Sequence, residues 1–173
     1  MKRLFFFSIF SIIAILVNTN CTSAQKPLSN IEESYQRNLS DSTLMTGFYF
    51  VTSLNNGFTK YYKDFDTTIT INPRPIVTVE DIVKVSIEES KYGFLFVGMN
   101  FGKRGTKAWK EATIPNKIED KYIAFVLNDT IIEMRRVVSQ ISNGVAAVST
   151  KNATLDELNA ISTTLQKILK IKK

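Results

Sequence analysis

Tyr122-Ile123-Ala124-Phe125-Val126-Leu127 is a near-continuous apolar run rich in aromatic and β-branched residues. A run this short is too brief for a buried helix and reads as a strand covered on both faces. It demands neighbours on either side, and the flanking sequence supplies candidates. Phe94–Phe101 is a second strong strand, with Leu95, Val97, Met99 and Phe101 on one face and Phe94, Phe96, Gly98 and Asn100 on the other. Asn128-Asp129 suits a tight hairpin into Thr130–Met134, and Asn143-Gly144 turns the chain into Val145–Val148. Gly47–Val51 reads as a further strand, and so do Thr67–Ile71, stopping at Pro73 and Pro75, and Ile82–Ile87 behind a short turn at Thr78–Asp81.

Two helices complete the pattern. Gly102–Gly105 reads as a turn, with Thr106 capping a helix to about Thr113 that turns Ala108, Trp109 and Ala112 inward. Thr154-x-x-Glu157 is a capping box. After it Leu155, Leu158, Ile161, Leu165, Ile168 and Leu169 recur at helical spacing. The expected fold is therefore α+β, a mostly antiparallel sheet with two helices packed on one face.

The N-terminus reads as an address. Met1-Lys2-Arg3 is basic, and Leu4–Val17 is an apolar run of 14 residues, short of the roughly 20 needed to span a bilayer. Residues 1–24 are thus expected to be a signal peptide cleaved between Ala24 and Gln25. The alternative is lipidation of Cys21, for which Asn18-Thr19-Asn20 is a poor lipobox. The chain is expected to be exported, to the periplasm or cell envelope, with membrane attachment only if Cys21 is modified. Residues 25–44 read as a polar leader, with a helical turn at Ile31–Leu39, and residues 45–173 as one domain. Cleavage leaves 20 Lys and Arg against 16 Asp and Glu, a mild basic excess concentrated at Lys167, Lys170, Lys172 and Lys173.

Composition narrows the chemistry. The 173 residues include one Cys and no His, which excludes imidazole triads, a His or multi-Cys metal centre and a disulfide framework. Gly102-Lys103-Arg104-Gly105 matches a G-x-x-G nucleic-acid clamp, but it follows a strand, where that clamp joins two helices. Asp64-x-Asp66 lacks the remaining ligands of a calcium loop. Glu88-Glu89 and Glu119-Asp120 are adjacent pairs, and adjacent strand residues point to opposite faces. No catalytic, metal or cofactor residue is assigned, and neither nucleic acid nor a small-molecule substrate is expected. Phe48, Phe50, Phe94 and Phe96 are the candidate contact residues for polypeptide, as an aromatic stripe on the helix-free face of the sheet.

The ordered set of motifs carries a resemblance. Gly47-Phe48-Tyr49-Phe50, Pro75–Ile82, Met99-Asn100, Trp109-x-x-Ala112-Thr113, Ile123–Asp129, Asn143-Gly144 and Thr154–Leu158 follow one another along residues 45–170. This order resembles the head subdomain of the first periplasmic domain of SecD, or of fused SecDF, whose "IAIVLDG" hairpin is IAFVLND here. The resemblance implies the fold and a polypeptide-binding role in protein export, and no catalytic residue. The partner it implies is a polypeptide. The alternative is one specific envelope protein on which the chain docks as a structural subunit.

Overall fold

The structure, a computed structural model, describes residues 43–53, 57–116 and 121–171. The signal peptide, the Ala24–Gln25 junction, Cys21, the turn at Ile31–Leu39 and the pair Glu119-Asp120 lie outside the described residues. Among the described residues, eight strands and two helices follow in order: β1 Gly47–Val51, β2 Phe58–Tyr62, β3 Thr67–Thr78, β4 Ile82–Glu89, β5 Leu95–Phe101, α1 Lys103–Ala112, β6 Tyr122–Leu127, β7 Thr130–Arg136, β8 Val145–Val148 and α2 Leu155–Ile171. The fold is α+β and its strand pairs are antiparallel, as expected.

The strands divide into two sheets. The larger has the order β2-β3-β1-β6-β7 and the smaller the order β4-β5-β8. Tyr122–Leu127 pairs with β1 on one side and β7 on the other, the central place its apolar run requires. The larger sheet curls until its two end strands, β2 and β7, lie against each other. Lys60 on β2 reaches Asp129 at the β6–β7 turn at 2.8 Å. The curl encloses Tyr49, Tyr62, Ile71, Ala124, Val126 and Ile131, together with Leu44. Tyr49 donates its hydroxyl hydrogen to the Met45 carbonyl at 2.7 Å. Burial, and then the charge of Asp129, push its hydroxyl up to about 12, and the Met45 bond pulls the other way.

The other face of the larger sheet meets the main core. Phe48, Ile123, Phe125 and Leu127 join Val97, Met99 and Phe101 of β5, Trp109 of α1, and Leu158, Ile161 and Leu165 of α2. α2 lies along β4 and β5 of the smaller sheet, and α1 lies against β3. The α2 start is the capping box the sequence predicts: Glu157 N–H donates to Thr154 Oγ1, and Thr154 N–H to the Glu157 carboxylate, both at 3.2 Å. Thr154→Ala is expected to cost about 1 kcal/mol in a urea titration.

Local expectations fail at three places. β3 does not stop at Pro73; it continues to Thr78, because Pro75 sits opposite Tyr49 where the register with β1 shifts, a position a proline tolerates. β2, not expected from its mixed sequence, is held by pairing with β3 and by the buried ring of Tyr62. Gly102–Gly105 is no free turn: Gly102 is the N-cap and the helix begins at Lys103, with the Thr106 N–H donating to the Gly102 carbonyl at 2.8 Å. Arg104 is turned to the buried Asp81 at 2.7 Å, which also accepts the Thr78 N–H at 3.0 Å.

Candidate functional site: an apolar groove between the two sheets

A cavity of about 620 Å³ opens between the sheets. Phe48, Trp109, Ile123 and Phe125 form its apolar floor. Phe48 packs its ring on Trp109 at 4.7 Å, Phe125 at 4.8 Å and, edge-on, Phe101 at 6.0 Å. Three large side chains at the mouth are exposed: Tyr92 by 72%, Phe94 by 71% and Val138 by 70%. Exposed apolar groups gathered at an apolar cavity are the usual mark of a contact surface.

One wall is the chain that follows β7. Val137 N–H donates to the Lys121 carbonyl at 2.7 Å and Ile141 N–H to Thr113 Oγ1 at 2.9 Å. Thr113 itself donates to the Trp109 carbonyl at 2.8 Å, so the end of α1 fixes that wall.

The opposite wall is β8, the end strand of its sheet. Phe101 N–H donates to the Gly144 carbonyl at 2.8 Å, so Gly144, Ala146 and Val148 bond towards β5. Antiparallel alternation then turns the N–H and C=O of Val145, Ala147 and Ser149 away from β5. Trp109 Nε1 donates to the Val145 carbonyl at 3.2 Å. Ala147, the next outward-turned residue, is exposed and lines the groove.

The four predicted contact residues are placed differently. Phe48 and Phe50 belong to the larger sheet and Phe96 to the smaller, and Phe94 precedes it. Phe48, Phe94 and Phe96 meet at the groove, as floor, mouth and wall. Phe50 is not part of the lining; it packs against the main core, with Lys121 Nζ 5.4 Å from its ring. Asp64 lies in a 3-10 turn at Lys63–Phe65 and Asp66 just after it, and Glu88 bonds Ser86 Oγ at 2.7 Å. Among the described residues, no three His, Cys, Asp or Glu side chains are grouped to hold a metal ion.

Glu133 is the functional candidate that sequence reasoning did not pick out. Simple alternation puts it on the face of Ile131, inside the curl. The register between β6 and β7 shifts by one residue between Val126↔Ile131 and Phe125↔Glu133, which places Glu133 opposite Phe125 at the groove. Its side chain is 10% exposed and paired with Arg135. Burial raises its carboxyl above the ordinary glutamate range; Arg135 and the Ser149 N–H oppose that without cancelling it.

Two antiparallel sheets, the larger curled on itself and the smaller carrying a long helix, with a groove between them, define the class: an α+β domain. The chain belongs to the SecDF P1 head subdomain family, whose model matches residues 58–167, more than half of its length. It is similar to the structure of SecDF in its super-membrane-facing form, at 17% identity and a TM-score of 0.55, over 78% of this chain and 20% of that one. It is also similar to a structure described as SecDF, a membrane component that enhances protein export, at 18% identity and a TM-score of 0.56, over 82% of this chain and 70% of that one. The chain thus spans about a fifth of the first of these proteins. No curated protein matches it in sequence. Among the described residues no helix is long and apolar enough to cross a membrane.

Proposed function

We propose that this protein is an exported, non-enzymatic member of the family that holds extended polypeptide segments in the groove during or after their export. The observation that carries the reading is a coincidence in space. The apolar floor at Phe48 and Trp109, the exposed side chains Tyr92, Phe94 and Val138, and the outward backbone of Ala147 on an end strand share one opening. An extended segment satisfies all three: its backbone pairs with β8, and alternate side chains enter the cavity. SecDF enhances protein export, and a polypeptide is the ligand that activity would present to a head-like domain. The leader at residues 1–24 supports the compartment, with Cys21 as the site of an anchor where cleavage does not fall after Ala24.

Photoreactive side chains at Phe94 and Phe96, crosslinked in cells and read by mass spectrometry, test this. Adducts to many unrelated exported proteins are expected. In addition, Phe94→Asp should weaken capture of an extended peptide about tenfold or more, because it places a charge at the mouth of an apolar site. A single recurrent envelope protein at fixed stoichiometry would replace the general reading with a dedicated docking subunit.

A further inference from the structure

We propose that β4 is a self-complementary sheet edge, on which a second copy of this chain docks by antiparallel pairing about a two-fold axis at Ser86. The dimer stands apart from the polypeptide reading; only its consequence for clients rests on that reading.

β4 is an end strand of the smaller sheet, and among the described residues no strand pairs with its outer side. Its hydrogen-bonding phase follows from the far side of that sheet. The Phe101 N–H donates to the Gly144 carbonyl, so Phe101, Met99 and Val97 bond towards β8, and Asn100, Gly98 and Phe96 towards β4. The partners of those last three are Lys84, Ser86 and Glu88. The Ser90 N–H, donating to the Phe94 carbonyl at 2.8 Å, continues the same phase. Val85 and Ile87 therefore turn their N–H and C=O groups off the edge of the sheet. Their side chains pack on the main core but are only half-buried. An edge of this kind is a template for another strand.

The sequence of β4 says which strand. Read antiparallel against itself about Ser86, it sets Val85 opposite Ile87 twice and Lys84 opposite Glu88 twice. The outward residues then face each other, as the exchange of N–H and C=O bonds requires. Moving the pairing by one residue sets outward residues against ones already bonded to β5, and the ladder cannot form. Centring it on Val85 or Ile87 gives up both ion pairs, and centring it on Lys84 or Glu88 sets like charges face to face. Lys84 and Glu88 are exposed, on the opposite face from Val85 and Ile87. Opposed in a non-hydrogen-bonded pair, they meet at the closer of the two antiparallel spacings. Gly98 leaves room over the sheet for the Glu88 carboxylate, which accepts Ser86 Oγ at 2.7 Å. The register shift between Ile82 and Lys84 ends the regular ladder, so pairing is confined to Lys84–Glu88 of each copy.

A contact this short falls below a permanent interface and makes a dissociable dimer. It joins two smaller sheets into one, in the order β8-β5-β4-β4-β5-β8, with a groove at each end. On the contact-site reading, one polypeptide can then be held at two places.

Sedimentation velocity of the full-length protein over a range of concentrations tests the dimer. A reversible monomer–dimer equilibrium is expected. Lys84→Glu and Glu88→Lys should each weaken it about tenfold or more, since each sets like charges opposite one another twice. An equimolar mixture of the two variants should pair again, because each supplies the charge the other lacks. That mixture separates a broken interface from a misfolded variant. In the native protein, hydrogen exchange of the Val85 and Ile87 amides should slow as concentration rises, while the Ser86 and Glu88 amides, bonded to β5, keep one rate. A native protein that stays monomeric, variants that associate as the native protein does, or a mixture that fails to pair overturns the proposal. Crosslinking from Phe94 reads the grooves separately. A dimer that captures no polypeptide supports the docking edge and removes only the client reading.

Discussion

Phe48→Ala should remove about 3–5 kcal/mol of folding stability, the range for truncating a buried phenylalanine. The ring is 4% exposed and touches Trp109, Phe125 and Phe101, which come from a helix and from both sheets. Deleting it leaves a void where those elements converge, and none of them can close it without giving up its own packing. A loss of this size approaches half of the ~5–15 kcal/mol that a domain has in reserve. Urea denaturation of the variant measures it, with Phe94→Ala as the comparison. Phe94 is exposed, so its truncation should fall within about 0.5 kcal/mol of the native protein. The pair separates two roles that the sequence leaves together: Phe48 as the floor that holds the groove in shape, and Phe94 as the surface that meets a ligand. A Phe48→Ala protein with native stability would show that the floor is not packed as described.

Gly47→Ala should cost about 3 kcal/mol, the upper end of the usual overpacking range. A β-carbon at Gly47 would run into the Val77 carbonyl oxygen and stand 3.2 Å from Thr78 Cα. Both are backbone atoms of β3, the strand that pairs with β1 at Gly47↔Thr78. On its other side Gly47 pairs with Val126 of β6. A side chain can swing away from an intruding methyl group, but a paired backbone cannot move without loosening its ladder. Thermal unfolding measures the loss, and Gly93→Ala offers a contrast in which the nearest atom is the end of a side chain, at 3.7 Å. There the cost comes from the left-handed backbone, with φ at 82°, and should be nearer 1 kcal/mol.

Where a structural choice is made by neighbours in sequence, the chain was legible. The Thr154 capping box needs only the amides of its own first turn. Thr78 caps the 3-10 turn at Val79–Asp81 for the same reason. Asn128 and Asp129 adopt φ of 48° and 65°, the double left-handed turn expected of a two-residue hairpin, although the family's glycine is replaced by Asp129. Asp129 is held there by the Leu44 N–H at 2.7 Å and by Lys60. Those contacts come from residues 85 and 69 positions away, and no local rule announces them.

The site was less legible than the fold. The aromatic strands were visible, and three of the four phenylalanines singled out do meet at the groove. Their roles were not visible, because alternation gives the face of a strand and not what covers that face. Tyr92 and Val138 lie outside any regular strand, so no period marks them. Glu133 was hidden by a one-residue register shift, which reverses alternation and can be seen only once β6 and β7 are paired.

By itself, then, the sequence determined that this is an α+β chain of antiparallel strands with a capped C-terminal helix, and it carried the order of motifs by which the head-like family is recognised. These follow from short-range physics: side-chain periodicity, capping of free amides and the torsional preferences of turns. Only the tertiary structure decided that the strands split into two sheets, that β3 passes through its prolines, and that a groove lies between β7 and β8. Those outcomes depend on which distant backbone supplies each hydrogen bond and on which surfaces exclude water together. That depends on contacts between residues far apart in the chain. The charge on Glu133 is the sharpest case. Arg135, two residues on, pairs with it, but the burial that raises its carboxyl comes from elements packed over it from elsewhere in the fold.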